Sequence, residues 1–221
     1  MMKALSFLLA LLITGGSCHS TTGNLNAEGM QNMLSLVRKN DVPGVKAALE
    51  QGAVVNTVDE SKRSLLLIAT NKRHTEMAEL LVKYGADVNQ QADNLDSPFL
   101  YAGASGQTEL VRLFLGHGAR FDVFNRYYGT ALIPACERGH VETVRLLVET
   151  TGYPIDHVNR LGWTALMEAI VLGDGSESYQ QIVRLLKTAG ADLNIPDHDG
   201  VTPLQHARSR GFGAIVDILK P

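Results

Sequence analysis

The chain has 221 residues, of which 45% are hydrophobic and 19% are charged, and its formal net charge at neutral pH is −3. This is the composition of an ordinary globular protein, and the chain is long enough to form one domain or a compact array. Because the charge is small and no run of lysine and arginine is present, the sequence argues against a nucleic-acid binder or a protein of anionic membrane surfaces.

Residues 1–20 have the layout of a secretory signal peptide. A positive charge at Lys3 precedes an apolar run over residues 4–13, and small residues follow the run. Such a run is too short to span a bilayer, whereas it suits the apolar region of a signal peptide. We therefore expect cleavage after Ser17, Cys18 or Ser20, and a mature protein that is periplasmic or secreted.

Cys18 offers a second interpretation of the same segment. It follows two glycines and Ser17, as the lipid acceptor of a bacterial lipoprotein follows small residues, although Gly15 stands where that signal has an aliphatic residue. Lipidation of Cys18 would make the protein an outer-membrane lipoprotein. The residues that follow, 21–27, carry no apolar period and predict a flexible leader.

The intact mass of the mature protein distinguishes these two interpretations. Because Gly15 departs from the lipoprotein signal, we expect a chain that begins at Cys18, His19 or Thr21 and carries no added mass. A mass increased by acyl chains on an N-terminal Cys18 would instead show that the protein is a lipoprotein.

Two markers recur through the rest of the chain with the same spacing. One is a glycine that begins a Gly-Ala pair or a close variant, and the other is an alanine that follows a Ser or Thr start. The glycines are Gly52, Gly85, Gly118, Gly152 and Gly190, and the alanines are Ala69, Ala102, Ala135, Ala169 and Ala207. Both sets advance by 33, 33, 34 and 38 residues, the last step being lengthened by "VLGDGSES" at 171–178. Because two separate markers advance by the same steps, the sequence predicts a repeat array.

This phase divides the chain into six units. The first, 28–58, begins with polar residues and is expected to be an N-terminal cap. The other five are 59–91, 92–124, 125–158, 159–196 and 197–220. Each contains two short amphipathic helical patterns, and because neither helix alone could bury its apolar face, we expect the units to stack on one another.

The repeated segments resemble the ankyrin repeat family. "DHDGVTPLQHARSRGFGAIVDIL", from Asp197 to Leu219, and "YGADVN", from Tyr84 to Asn89, are similar to its consensus. The resemblance implies an all-α repeat solenoid, an ankyrin array of helix-turn-helix units with β-hairpin finger loops. It also implies that one hydroxyl residue caps the first helix of each later unit; these are Ser64, Ser97, Thr130, Thr164 and Thr202.

The finger glycine of the family is present in only two units. Gly162 and Gly200 match it, whereas Lys62, Leu95 and Tyr128 replace it in the three units before. Because glycine adopts a positive φ at little cost and other residues do not, we expect these three fingers to differ in shape.

Cys136, Glu137 and His140 form the one constellation that suggests an active site. On a helix, residues four apart share a face, so the cysteine and histidine would lie close enough to bind a metal or to act as nucleophile and base. In the repeat register, however, Cys136 occupies a small, packed alanine position and His140 begins a second helix. We therefore expect both to be structural, and no catalytic or metal-binding residue is assigned.

The resemblance points instead to a surface. Finger tips and the exposed side of the first helices form the family's protein-binding face, and Tyr, Trp and Arg are the residue types that dominate binding energy at interfaces. The residues mapped to this face as partner-binding are Arg63, Asp96, Arg126, Tyr127, Glu137, Arg138, Arg160 and Trp163.

The function expected from the sequence is an exported module that binds another protein through this face, with no cofactor, no nucleic acid and no membrane span. Exported bacterial members sometimes accompany a secreted enzyme or toxin, so the resemblance also implies an inhibitor or immunity role. Two alternatives stay open. One is a structural envelope protein anchored through lipidated Cys18, and the other is a metal-dependent hydrolase that uses Cys136, Glu137 and His140.

Overall fold

The computed structural model describes the backbone of residues 21–220 and the side chains of residues 28–220. The predicted signal peptide and Cys18 lie outside the described residues. Within residues 21–220 the chain forms twelve α-helices, none of them long and apolar enough to cross a membrane. They are α1 (Thr21–Arg38), α2 (Val42–Glu50), α3 (Leu65–Asn71), α4 (Thr75–Lys83), α5 (Pro98–Ala104), α6 (Thr108–Leu115), α7 (Leu132–Glu137), α8 (Val141–Val148), α9 (Ala165–Val171), α10 (Glu177–Thr188), α11 (Pro203–Ser209) and α12 (Gly213–Leu219).

The helices form two layers along the array. Each odd-numbered helix contacts the next odd-numbered helix, each even-numbered helix contacts the next even-numbered one, and the two helices of every unit pack together. We call these the first-helix layer and the second-helix layer. The prediction of an all-α repeat solenoid is confirmed.

The apolar core runs between the two layers. One continuous cluster extends from Met33 to Leu219, and Phe99 and Phe114 are among its largest fully buried side chains. Helices α3 to α9 have only six to nine residues. Helices this short are marginal in isolation, so burial between neighbouring units supplies their stability.

The glycine of each Gly-Ala pair, at 52, 85, 118 and 190, lies at the end of a second helix. After α4, Gly85 has a φ of +86°. Its N–H donates to the Val82 carbonyl at 2.9 Å, and the next N–H, of Ala86, reaches the Leu81 carbonyl at 3.0 Å. This is the Schellman pattern of a helix end, which needs a left-handed residue and therefore favours glycine. The repeat marker is thus a helix stop.

Helix α1 begins earlier than the sequence indicates. It starts at Thr21, so the structure is helical over 21–27, where the sequence predicts a flexible leader. Propagation of an established helix adds one hydrogen bond for each residue fixed, so a helix can continue into a segment of weak intrinsic propensity.

Four of the five predicted N-caps are confirmed. The hydroxyls of Ser64, Ser97, Thr164 and Thr202 accept a hydrogen bond from the backbone N–H three residues later. The prediction for Thr130 is wrong, because Ala131 is the N-cap of the helix that follows and no side chain of the cap accepts a hydrogen bond there. Helix α7 begins at Leu132, whose N–H donates to the Tyr153 hydroxyl at 3.1 Å. A tyrosine from the turn after α8 has taken over the capping role.

The five fingers, at residues 59–63, 92–96, 125–129, 159–163 and 197–201, share one backbone geometry. In each, the N–H of the first residue donates to the carbonyl of the fifth, and the N–H of the fourth donates to the carbonyl of the first. The fourth residue has a positive φ throughout, +79° at Gly162 and +77° at Gly200, but also +57° at Lys62, +63° at Leu95 and +61° at Tyr128. The prediction that the fingers without glycine differ in shape is therefore wrong.

Side-chain hydrogen bonds hold most of these fingers in the same shape. In four of them the first residue is Asp or Asn, and its Oδ1 accepts the N–H groups of the third and fifth residues; these are Asp59, Asn125, Asn159 and Asp197. Tyr128 also packs its ring against Phe124 and His157, at centroid distances of 4.3 and 5.3 Å. These contacts offset the cost of a left-handed residue that is not glycine, about 1–2 kcal/mol.

The insertion in the fifth unit is part of the packed structure. Two guanidinium nitrogens of Arg210 donate to the carbonyls of Val171 and Gly173, at 2.7 and 2.8 Å. The Tyr179 hydroxyl donates to the Glu137 carbonyl at 2.8 Å. The extra residues are therefore tied to the units on either side.

Replacing Leu95 with glycine is expected to stabilise the protein. Leu95 is 40% exposed, so little packing is lost, and glycine relieves the positive φ. We expect a gain of about 0.5–1 kcal/mol in the free energy of unfolding, measured by urea denaturation. Leu95→Ala is the control, because it shortens the side chain and keeps the Cβ. An equal gain in both variants would show that backbone strain is not the cause.

Candidate functional site

A pocket opens between the first helices and the fingers of the third, fourth and fifth units. Its volume is about 210 Å³. Helices α5 and α7 and the finger at 125–129 line most of it, and Asn159 and Glu168 come from the next unit. The lining residues are Asp96, Leu100, Tyr101, Ala104, Asn125, Arg126, Tyr127, Gly129, Ile133, Pro134, Glu137, Arg138, Asn159 and Glu168.

Five of the eight residues predicted to bind a partner line this pocket: Asp96, Arg126, Tyr127, Glu137 and Arg138. They come from different units and are brought together because equivalent positions of stacked repeats lie side by side. The sequence register therefore places them on one face, and the structure gathers them around one cavity.

The other three predicted residues lie outside the pocket lining. Arg63 belongs to the second unit, where its guanidinium pairs with Asp59 at 2.7 Å. Arg160 is exposed, and its Nη1 donates to the Arg126 carbonyl at 3.2 Å. Trp163 is half-buried in its finger, whereas Tyr127 is 49% exposed. Their part in binding stays a prediction.

The tip of the finger at 125–129 is held in place by a contact within the finger and by the next finger. The Arg126 guanidinium lies over the Tyr127 ring, 4.9 Å from its centroid. The N–H of Arg160, in the next finger, donates to the Tyr127 carbonyl at 2.9 Å. An exposed aromatic residue that is already held in position loses less conformational entropy on binding.

Arg138 and Asp96 line the pocket, and the position of Arg138 and the ionisation of Asp96 are both set by their neighbours. The Arg138 Nη1 donates to the carbonyl of Ala104, the last residue of α5, at 2.6 Å. A cation there satisfies a free carbonyl at a helix end. Asp96 is half-buried, and burial raises the pKa of its carboxyl against the opposing charge of Arg126.

Glu168 is the most unusual side chain of the pocket. It is only 5% exposed, and its Oε1 accepts a hydrogen bond from Asn159 Nδ2 at 2.8 Å. Burial and then the charge of Glu137 raise its pKa to about 7, although the Asn159 bond and Arg138 act in the opposite direction. Near neutral pH the protonated and charged forms of Glu168 therefore coexist.

Asn159 connects this carboxyl to the backbone of its finger. Its Oδ1 accepts the N–H groups of Leu161 and Trp163, at 2.9 and 3.1 Å, while its Nδ2 donates to Glu168. One amide thus shapes the finger and orients the buried carboxyl.

Sequence reasoning missed Glu168 and Asn159. A signal was present, because Glu168 is the single charged residue in the apolar run from Ala165 to Ile170. A charged side chain in a buried helix costs free energy unless it is paired, and one that is not paired often marks a functional site. The finger asparagine gave no comparable signal, because that position is usually structural.

Cys136 and His140 have the structural roles that the register predicts. Cys136 is fully buried, and burial, with a smaller effect of Glu168, raises the pKa of its thiol well above the usual value. His140 precedes α8 and is half-buried, which lowers its pKa, and its ring packs against Gly106. A buried neutral thiol is a poor nucleophile. Among the described residues no cluster of three or more His, Cys, Asp or Glu is arranged to hold a metal ion.

Stacked helix pairs joined by hairpin-shaped fingers define a class of repeat protein, and comparison with known sequences identifies its family. A family model for ankyrin repeats in three copies matches residues 33–125 and again 99–197. The chain belongs to the ankyrin repeat family, whose fold is generally a protein-binding module without enzymatic activity.

Several relatives cover nearly the whole array. The chain is 35% identical over 186 residues to a putative ankyrin repeat protein, YahD, of Escherichia coli K12, covering 84% of this chain and 92% of the relative. It is 49% identical to an ankyrin repeat domain of Acinetobacter baumannii AYE whose crystal structure superposes with a TM-score of 0.82, covering 85% of this chain and 95% of that one. For the crystal structure of EF0377, an ankyrin repeat protein, the identity is 40% and the TM-score 0.83, over 86% and 96% of the two chains.

Replacing Glu168 with Gln is expected to remove a pH dependence of stability. The carboxyl has an ordinary pKa of 4.5 and a folded value of about 7, so the folded wild type loses stability as the pH rises from 4.5 to 7. Glutamine keeps an oxygen for Asn159 and has no proton to lose. We expect the variant to be more stable by about 1–2 kcal/mol at pH 8, because water at the pocket screens part of the buried charge, and to differ little at pH 4.5.

Urea denaturation at the two pH values measures this difference. The control is Glu79→Gln on α4, since Glu79 is exposed and does not line the pocket. A stability difference for Glu168→Gln that stays the same from pH 4.5 to pH 8 would contradict the raised pKa.

Proposed function

We propose that the protein is an exported ankyrin-repeat module that binds a partner protein through the pocket and the finger tips around it. The observation that carries the proposal is the pocket itself. It gathers five of the predicted binding residues on the face formed by the first helices and fingers. Ankyrin repeats generally bind proteins, which supports a protein as the ligand.

The properties of this face suit a protein interface. Tyr127 is an exposed aromatic residue in a fixed position, and Arg126, Glu137 and Arg138 bring charges of both signs. Aromatic and arginine residues are enriched at interface hot spots, and mixed charges give specificity and orientation.

Export and the role of the partner belong to the same proposal. The layout of residues 1–20 supports secretion into the periplasm or beyond. An interaction module in that compartment suits control of another exported protein, and we propose an inhibitor or immunity partner of a secreted enzyme or toxin.

The test is capture of a partner by purified mature protein, followed by reconstitution with the purified partner. Changing Tyr127 and Trp163 to Ala is expected to weaken binding about tenfold or more, because each removes a large aromatic contact from the face. Tyr127→Ala alone is measured as well, since Trp163 is half-buried and its loss also affects the finger.

Leu172→Ala is the matched control, since Leu172 is 48% exposed and does not line the pocket. Circular dichroism establishes that each variant is folded. Unchanged partner affinity in both folded tyrosine variants would exclude this face as the interface.

A further inference from the structure

Three carboxyl groups and two guanidinium groups line the pocket, so acidic side chains outnumber basic ones there. Asp96, Glu137 and Glu168 all line it, and within the described residues none of the three makes an ion pair. The two arginines of the lining make other contacts. Arg138 donates to the Ala104 carbonyl, and Arg126 lies over Tyr127.

Glu168 is the buried member of this group and has unused hydrogen-bonding capacity. Asn159 donates to Oε1, while no group within residues 21–220 donates to Oε2. Oε2 is not among the described atoms that are both buried and unpaired, so it keeps some access to the pocket, and a donor supplied by a ligand would complete its hydrogen bonding.

We propose that the pocket is the receptor for one cationic side chain, a lysine or an arginine, of the partner protein. This inference rests on the proposed function and specifies the chemistry of the partner. The volume of about 210 Å³ lies below the roughly 300–1,000 Å³ of pockets that hold drug-sized ligands, so it suits a single side chain.

The chemistry of the lining favours a cation over other ligands. An ammonium or guanidinium group donates several hydrogen bonds and accepts none, which complements three carboxyls. Tyr101 also lines the pocket, and aromatic rings attract cations, whereas the Tyr127 ring already carries the Arg126 guanidinium. An anion would meet three carboxyls against two guanidinium groups, and both guanidinium groups already contact other parts of the protein.

Cation binding is coupled to the ionisation of Glu168. Burial and Glu137 keep the pKa of this carboxyl at about 7 in the free protein. A bound cation favours the charged form, so binding releases the proton and strengthens as the pH rises through 7.

The groups that face Glu168 come from several elements. Helix α7 contributes Glu137 and the buried Cys136 thiol, and Arg138 follows at its C-cap. The fingers contribute Asn159 and, farther along the lining, Asp96 and Arg126. The other helices packed against α9 carry charged or titratable residues that do not line the pocket: Glu177, Tyr179, Arg184 and Lys187 on α10, and His206 and Arg208 on α11, with Arg210 directly after it.

The test uses capped pentapeptides Gly-Gly-X-Gly-Gly, with X as lysine, arginine, norleucine or glutamate, titrated into ¹⁵N-labelled mature protein at pH 8. We expect the lysine or arginine peptide to shift the amide signals of Gly129, Glu137 and Glu168, while the uncharged norleucine peptide does not. Equal shifts from the lysine and norleucine peptides, or shifts from the glutamate peptide alone, would overturn the inference.

Glu168→Gln is expected to weaken binding of the cationic peptide about tenfold at pH 8, whereas Glu79→Gln leaves it unchanged. The wild type is expected to bind about tenfold more weakly at pH 6 than at pH 8, because a group of pKa about 7 is about ten times less ionised there. The peptide lysine stays charged at both values. Affinity that is independent of both the substitution and pH would refute the role of Glu168.

The outcomes separate this inference from the proposed function. If the tyrosine variants lose partner binding while no cationic peptide binds, the binding face stands and the cation receptor is refuted. If cationic peptides bind as expected while the folded tyrosine variants keep full partner affinity, the receptor stands and the partner interface lies elsewhere.

Discussion

Burial between neighbouring helix pairs is the interaction on which this structure depends. A helix of six to nine residues gains too little from its own hydrogen bonds to persist alone. Each unit therefore presents its apolar face to the next, and the continuous core from Met33 to Leu219 is the result. The same stacking fixes the spacing of the fingers, so equivalent positions of successive units form rows on one surface.

The pocket follows from that regular spacing. Because backbone geometry is the same in every finger, a change of residue alters the surface and leaves the scaffold intact. In the third to fifth units the rows carry Asp96, Arg126, Glu137 and Glu168, and the surface becomes polar and concave there. A binding site in such an array is made by the choice of residues on a fixed frame.

One recurring contact shows how the frame accommodates different chemistry. In the fifth unit the first finger residue, Asn159, donates to Glu168, and in the last unit Asp197 pairs with His206 at 2.7 Å. Glu168 and His206 occupy the same position, four residues after the N-cap. In the last unit the bond lowers the pKa of Asp197, whereas in the fifth a buried carboxyl keeps a raised pKa. The contact is structural in both, and only Glu168 lines the pocket.

The sequence by itself determined the period, the helix stops at the Gly-Ala pairs, most of the N-caps and the face that carries Arg126 and Tyr127. These features are local, because a cap or a left-handed glycine acts within a few residues of its position. Tertiary structure decided the rest. Lys62, Leu95 and Tyr128 keep a positive φ because hydrogen bonds and packing in the array offset the strain, and Tyr153 replaces Thr130 as a cap. The raised pKa of Glu168 also depends on neighbours from other units, since burial and the charge of a distant residue are not encoded in any short stretch of sequence.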